Sequence, residues 1–596
     1  MLRQAGLRIR EARRYRPRLQ DLRGPANCAL SFLVALPAAL LWVAFGPFIV
    51  YPFLGDLDPW VYTGYFTHFH YLLSHHGFTY YASRLPWILP GRLAFRIASP
   101  EAASLLLCGG IVAAGAVSLY WIVRWYYGHA PALLATVVLI TNPYFMASAG
   151  CQYPDGPAIA YAMAGMALYL RPTGSRRWNS FWAAAMLVLS GATNMAAGPV
   201  ILAILVFPLW RCRHSLKEFL KETVCSVAGA AVAADVLSRL SRSVFGDPHF
   251  LRPQIEQTLH AMRTPGYLTD MWGSGLGFLP GALRLFTPAF LLVFGLVLLV
   301  AIRKPAAPAW PAYLALLVCC ALYSLQEFVL HGVALRVFYH SSYMQVVVLG
   351  FAGVALGEIW SRSPGTGTLR PVYMAGLAAA GIALCLAFSA GLSVVPNGRG
   401  WSTLAVIGAA ATVLAVLVRR PNVPLQHATC ALLMAAVFLG PALDSWALGF
   451  AWSSPKVWHG SNLTATANAV VFRRLMDLES FLKSHVEMPR SLLFWWDDDE
   501  PHSQLFTSGA MLFLGSHENV NQGLATGDVA RLYEIFGFSK TIVHLTSHPE
   551  RIAQRIQLMA ARGVLVNNQR GTTIDYRGKP FTVVLQDVVR DPRARH

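Results

Sequence analysis

The sequence predicts a polytopic α-helical membrane protein with about 13 transmembrane helices, followed by a soluble α/β domain on the extracytoplasmic side. Three observations carry this prediction. The 596 residues are 55% hydrophobic and only 13% charged, against about 25% charged in a soluble globular chain. Apolar stretches of about 20 residues, enough to cross roughly 30 Å of hydrocarbon as helix, recur through the first three quarters. Basic residues punctuate alternate gaps between those stretches, as they do in cytoplasmic loops.

The apolar runs fall at 27–52, 102–123, 130–148, 154–170, 179–192, 196–210, 222–242, 286–302, 309–328, 341–360, 371–394, 402–418 and 427–448. Lipid cannot solvate unpaired backbone groups, so each run must be a helix. The fifth and sixth are short and broken by "SGATNMAAGP". A basic cytoplasmic N-terminus, residues 1–26, precedes the membrane domain, residues 27–451. The first run is too long for a signal peptide and lacks a small-residue cleavage site, so it reads as an uncleaved span. With the N-terminus inside, the cytoplasmic loops hold Arg124; Arg171, Arg176 and Arg177; Arg211, Arg213, Lys217 and Lys221; Arg303 and Lys304; Arg362 and Arg370; and Arg419 and Arg420. The opposite side holds Asp56, Asp58, Asp155, Asp247 and Asp270, and its short loops "SAGCQYPDG" and "GATNMAAGP" carry no Lys or Arg. The net charge of +19 is therefore a topology signal, not a nucleic-acid footprint.

An odd number of spans leaves the tail, residues 452–596, outside. There "ATANAVVFRRLMDLESFLKSHV" has helical spacing, and "RSLLFWW" and "KTIVHLT" read as buried strands. "PERIAQRIQLMAARG" is a helix stopped by Gly563, and "TTIDYRGKPFTVVLQDV" a hairpin turning near Arg577 and Gly578. Two longer outer segments, 53–101 and 243–285, connect spans; the second mixes Pro, Gly and aromatics with polar groups, as a loop at the membrane surface does. The nine cysteines are scattered, nearly all in apolar segments, with none after Cys430 and no CxxC spacing. They read as small packing residues.

The informative stretch is "GDLDPWVYTGYFT", residues 55–67, which puts two acids at the outer edge of the first span. Asp58 precedes a run read as an amphipathic surface helix, with Val61, Tyr65, Phe69 and Leu72 or Leu73 on one face. Capping chemistry alone makes Asp58 an N-cap with Pro59 at the first helical position, and Asp56 an interfacial acid. Both have company on the same side. Asp155 opens the fourth span, and Arg336 and Tyr339 stand just before the tenth. A cation at such a place is usually held by a partner or pathway, with snorkelling as the plainer reading of Arg336. Arg84 and Arg263 are further outer cations able to meet a phosphate. His68, His70, His75 and His76 invite a metal reading, but no acid is spaced to complete a site, so interfacial packing is favoured. Asp497 to Glu500 in "WWDDDEP" read as a solvated turn before they read as a calcium site.

"DPWVY", a helix, and then "SRLPWILPGRLAFRI" together resemble the first outer loop of GT-C superfamily membrane glycosyltransferases. The branch resembled is that of the protein O-mannosyltransferases and lipid A aminoarabinose transferases. Asp58 and Tyr62 fit the ends of that branch's Asp-Glu-x-x-Tyr pattern, with Pro59 in place of the second acid. "YPDGPAIAYAMAGMALYLR" is similar to its Asp-Ala-Pro-Leu stretch, and "LRVFYHSSYMQVVVLGFAGVAL" to its Arg-Tyr-x-x-Pro run, without the usual proline. The resemblance spans roughly residues 27–360. It implies a GT-C-like fold in a bacterial inner (plasma) membrane, with a periplasmic tail. It also implies an inverting transfer from a polyprenyl-phosphate sugar donor to a hydroxyl of a glycan, lipid or protein acceptor. In that reading Asp58 is the general base and Arg336 the phosphate partner, with Arg84 and Arg263 as further phosphate contacts. Asp56 positions donor or acceptor, Asp155 orients hydroxyls or pairs with a loop cation, and Tyr62 and Tyr339 shape the pocket. The chemistry requires no cofactor; a divalent metal is compatible with it and not required. A glycan ligase or polymerase using a lipid-linked oligosaccharide shares the same signature. A transporter or flippase would instead show internal repeats and mid-membrane charges.

Overall fold

Helices dominate up to residue 362, and their ends follow local chemistry. The computed structural model describes residues 31, 33–35, 58–141, 145, 148–150, 152–263, 296, 299, 306, 308–328, 342–362, 476–485, 492–496, 518–520, 541–561, 564–576 and 579–590. After the first expected span come α1 (Asp58–Thr67), α2 (Phe69–His76) and α3 (Leu85–Ile97). α4 (Pro100–Tyr127) starts where the Ser99 hydroxyl accepts from the Ala102 amide, and it stops at Gly128, whose φ of 92° suits glycine. α5 (His129–Thr141), α6 (Asp155–Leu170) and α7 (Arg176–Thr193) follow. A 3₁₀ turn (Met195–Ala197) leads into α8 (Gly198–Ile204), α9 (Val206–Arg211), α10 (Leu216–Phe245) and α11 (Arg252–Arg263). α12 (Ala309–Phe328) and α13 (Met344–Arg362) complete the described part of this region.

The protein is a helical integral membrane protein. Among the described residues, 3 helices are long and apolar enough to cross a bilayer: α4, α10 and Ala309–Gln326 within α12. α10 leaves Leu220, Val224, Val227 and Val232 exposed, a stripe suited to lipid. The run expected at 196–210 is two short helices that meet at Leu205. Pro208 lacks the N–H that would have bonded the Ile204 carbonyl, so the helix cannot run through. The runs expected at 371–394, 402–418 and 427–448 lie outside the described residues, as does most of 286–302.

Close backbone approaches pull the bundle together. A Cβ on Gly229 of α10 would stand 2.0 Å from the Phe181 carbonyl oxygen of α7, so only glycine fits there. A Cβ on Gly156 would stand 2.4 Å from the Ser148 carbonyl oxygen, which fixes the start of α6 against the segment before it.

The single surface helix read after Asp58, running to residue 73, differs from the structure. The chain breaks at His68, and every α1 residue from Pro59 to Phe66 is buried. α3 covers α1, with the Phe66 ring edge-on to Trp87 at 5.1 Å, and Tyr153 closes another side. The apolar and aromatic residues of α1 are thus used all round, not on one face.

The tail contains α14 (476–485), then β1 (Leu492–Trp496), β2 (Glu518–Val520), β3 (Thr541–Thr546), α15 (Glu550–Ala560), β4 (Val564–Tyr576) and β5 (Lys579–Arg590). The sheet order is β2-β1-β3-β5-β4; β1 runs parallel to β2 and β3, and β5 runs antiparallel to β3 and β4. β3 is buried at every position, as a central strand with both faces covered must be. The hairpin turns between Tyr576 and Lys579, as its sequence predicts. Asp497 to Glu500 lie outside the described residues.

Candidate active site

α1, the turn before α3, the start of α6 and the turn after α7 converge on one buried polar cluster. Arg84 is the N-cap residue of α3, at the end of a turn in which Gly77 takes a φ of 68° and the Ser83 hydroxyl bonds the Tyr80 carbonyl. The side chain is folded inward and Arg84 is only 8% exposed. Its Nη1 donates to the Tyr62 hydroxyl, and its guanidinium lies 5.2 Å from the Tyr80 ring centroid and 5.6 Å from that of Tyr62. Its Nε is buried without a hydrogen-bond partner. Among the described residues it forms no ion pair. Burial pulls its pKa down, but the oxygens of Tyr62, Tyr153 and Tyr80 and the Asp155 carboxylate push harder the other way, so the net shift is upward. The guanidinium stays charged.

Tyr62 links this cation to Asp155. Its ring meets Tyr81 edge-on at 5.5 Å and Tyr153 at 5.8 Å, and Tyr153 stands just ahead of Asp155. Asp155 is fully buried at the start of α6. Its Oδ1 accepts from Asn194 Nδ2 at 2.8 Å and from the Tyr343 hydroxyl. A carboxylate taken out of water costs several kcal/mol unless donors replace the water. Here two neutral donors and the field of Arg84 serve. Asn194 is itself fixed: its Oδ1 accepts from the Ala196 amide at 3.1 Å, and the Tyr323 hydroxyl of α12 reaches the Ala196 carbonyl at 3.1 Å.

Of the residues singled out in the sequence, Tyr62, Arg84 and Asp155 come together. Asp58 opens α1 one turn before Tyr62, and Arg263 is the last residue of α11. Asp56, Arg336 and Tyr339 lie outside the described residues. His68 Nε2 faces Glu479 Oε1 of α14 at 3.7 Å, and no group of three or more His, Cys, Asp or Glu side chains that could hold a metal occurs among the described residues. Asn194, Tyr343 and Tyr153 belong to the cluster and were not singled out, although Tyr153 opens the quoted stretch "YPDGPAIAYAMAGMALYLR" and Tyr343 lies within "LRVFYHSSYMQVVVLGFAGVAL". A hint was present for Asn194, a lone amide in a charge-free break on the acidic side. Tyr343 lies in the same "FYHSSYM" run as Tyr339.

No family model matches the chain, and no curated protein matches it. Among solved structures it is similar to ArnT from Cupriavidus metallidurans bound to undecaprenyl phosphate, at 14% identity and a TM-score of 0.44, over 94% of this chain and 98% of that one. It is similar to the arabinofuranosyltransferase AftD from Mycobacteria, at 13% identity and a TM-score of 0.47, over 95% of this chain and 40% of that one. A third is the Archaeoglobus fulgidus oligosaccharyltransferase in complex with zinc and sulfate, at 13% identity and a TM-score of 0.33, over 92% of this chain and 72% of that one.

Proposed function

We propose that the protein is an inverting membrane glycosyltransferase. It moves a sugar from a polyprenyl-phosphate donor to an acceptor hydroxyl at the outer membrane–water interface. The observation that carries this reading is Arg84, a buried charged fork braced by two tyrosines, with an unpartnered Nε and no carboxylate paired to it among the described residues. A phosphate oxygen is the ligand such a group fits best, because a guanidinium can bond two oxygens at once.

In this mechanism the acceptor oxygen attacks the anomeric carbon while Asp58 takes its proton. The bond between that carbon and the phosphate oxygen breaks, and the phosphate leaves with the electron pair. Arg84 stabilises the charge that grows there, a contribution made only as the bond breaks. One displacement inverts the anomeric centre. Asp155, held by Asn194 and Tyr343, orients sugar hydroxyls, and Tyr62 walls the pocket. Asp56 positions donor or acceptor, Tyr339 shapes the pocket, and Arg336 and Arg263 add cationic charge toward the same phosphate. The chain crosses a bacterial inner membrane about 13 times, with residues 1–26 in the cytoplasm, 27–451 as the membrane domain and 452–596 as a soluble domain outside.

The test is transfer of label from a radiolabelled polyprenyl-phosphate sugar pool by purified variants. Asp58→Asn keeps shape and a capping oxygen but cannot take a proton, so transfer falls by about 10²–10⁴ while donor binding persists. Asp56→Asn is milder. Full transfer by both variants would leave Asp58 as a helix cap only. A cytoplasm-only reporter fused after His596 stays silent; a bright signal would overturn the sidedness.

A further inference from the structure

The outward half of α3 carries two stripes side by side. Arg92 and Arg96 form one; Leu93 and Ile97, 60% and 73% exposed, form the other. Like charges one turn apart destabilise a helix unless something neutralises them. Neither guanidinium forms an ion pair among the described residues. Partial burial, and then the charge of Arg96, hold Arg92 below the usual guanidinium value.

Arg92 is nevertheless fixed in place. Its Nη2 lies 2.8 Å from His70 Nε2, and its guanidinium sits 4.7 Å from the Phe69 ring centroid. Beside it opens a cleft of about 520 Å³, walled by Phe66, Phe69 and Phe95 and carrying Arg92, Arg96 and Lys483. The one carboxylate in the cleft, Glu479, already serves Lys483 and His68. Burial pushes the Glu479 carboxyl up, but the facing His68 and the bond from Lys483 outweigh that and hold it below the usual value. The cleft is therefore cationic overall. Its depth is set by Pro100, a lining residue that is also the first residue of the membrane-length helix α4. In a bilayer crossed by α4, Leu93 and Ile97 would stand at hydrocarbon depth and the arginine heads at the level of lipid phosphates.

We propose that this cleft binds the phosphodiester headgroup of an anionic lipid in the adjoining leaflet, clamped by Arg92 and Arg96 with Lys483 closing from α14. The site is distinct from the buried Arg84 cluster. It spans two parts of the chain, because Lys483 and Glu479 come from the tail and the other lining residues from the first outer loop. A bound headgroup therefore ties the tail to the membrane domain.

The test uses the full chain in neutral detergent, with phosphatidylglycerol, phosphatidylcholine and inorganic phosphate as separate probes. Native mass spectrometry counts retained lipid, and thermal unfolding reports stabilisation. Phosphatidylglycerol should bind and raise Tm. Arg92→Gln with Arg96→Gln should weaken its binding by tenfold or more, and Arg84→Gln should not. If the double variant does not fold, Arg92→Lys, which keeps the charge and loses the fork, is expected to show a smaller loss. Undiminished binding by the foldable variant would overturn the proposal. So would equal binding of phosphatidylcholine, or competition by millimolar inorganic phosphate, which would assign the cleft to a free anion. None of these readouts involves sugar transfer, so failure here leaves the glycosyltransferase reading standing.

Discussion

Two largely buried arginines stand near opposite ends of α6, and their surroundings differ. Arg211, at the end of α9, is closed. Its Nε and Nη2 donate to Glu222 Oε2, its Nη2 also to the Ser180 hydroxyl at 3.1 Å, and its Nη1 to the Tyr169 carbonyl at 2.7 Å. Arg84 is open. It has one phenol, two aromatic faces and an unpartnered Nε, and the nearest acid of the cluster, Asp155, is already bonded to Asn194 and Tyr343. A closed pair carries its own counter-charge and clips α9 and α10 to the end of α6. An open one holds charge at a cost, which a chain keeps where a ligand supplies the counter-charge.

Substitution separates the two. Arg211→Gln strands the Glu222 carboxylate, 2% exposed, and should cost about 3–5 kcal/mol of stability, read as a fall in Tm, with transfer per folded molecule preserved. Arg84→Gln should do the reverse, with a smaller fall in Tm than Arg211→Gln, because Asp155 keeps its two neutral donors, and with transfer down by about 10²–10³, the usual loss when one donor to a developing anion is removed. An equal fall in Tm for both would make Arg84 another clip.

A smaller effect tests the link between Arg84 and Asp155. Asn194→Ala removes one donor to the buried carboxylate and loosens the turn at Ala196, a loss of about 1–3 kcal/mol. Transfer should fall roughly tenfold for each 1.4 kcal/mol lost from the transition state. Tyr343→Phe removes the other donor and should act in the same direction. If neither changes transfer, Asp155 is a structural acid.

The tail offers a third case, a buried basic group that is not a cation. His544 is fully buried; its Nε2 lies 2.9 Å from Gln586 Oε1, and its ring stacks on Trp495 at 5.7 Å. Burial first, then the charge of Arg555, pull its pKa down to about 3, against the Gln586 bond. The unfolded chain takes up a proton near pH 6.5 that the folded chain refuses. Stability contributed by neutral His544 is therefore present above about 6.5 and lost as pH falls toward 3, at up to about 1.4 kcal/mol per pH unit. Hydrogen exchange of the β3 peptide in the full chain, corrected for intrinsic rates, should show this slope. His544→Leu should flatten it; an unchanged slope in that variant would assign it to other groups.

Where reading was local, it was accurate. The turn between β4 and β5, the buried strand β3 and the apolar helix at 309–328 all follow from backbone chemistry within a few residues. The cluster was only partly legible. Asp155 and Tyr62 stood out by pattern, and Arg84 was one outer cation among several. Nothing singled out Asn194 or, within its quoted run, Tyr343, because their roles depend on a partner 39 and 188 residues away. The amphipathic reading of α1 failed for the same reason: periodicity records which residues are apolar, and whether a neighbour covers the opposite face depends on where α3 and Tyr153 arrive.

The sequence by itself determined the helical membrane class, because hydrocarbon thickness and the need to satisfy every backbone group act on each segment separately. It also determined β1, β3, α15 and the hairpin of β4 and β5 in the tail, but not β2. Only the tertiary structure decided which of the candidate cations is enclosed. Arg84 caps the helix that carries Arg92, eight residues further on. Arg84 folds in among Tyr62, Tyr80 and Tyr153, and Arg92 lines a cleft shared with Lys483, because the groups that surround each side chain include residues far along the chain.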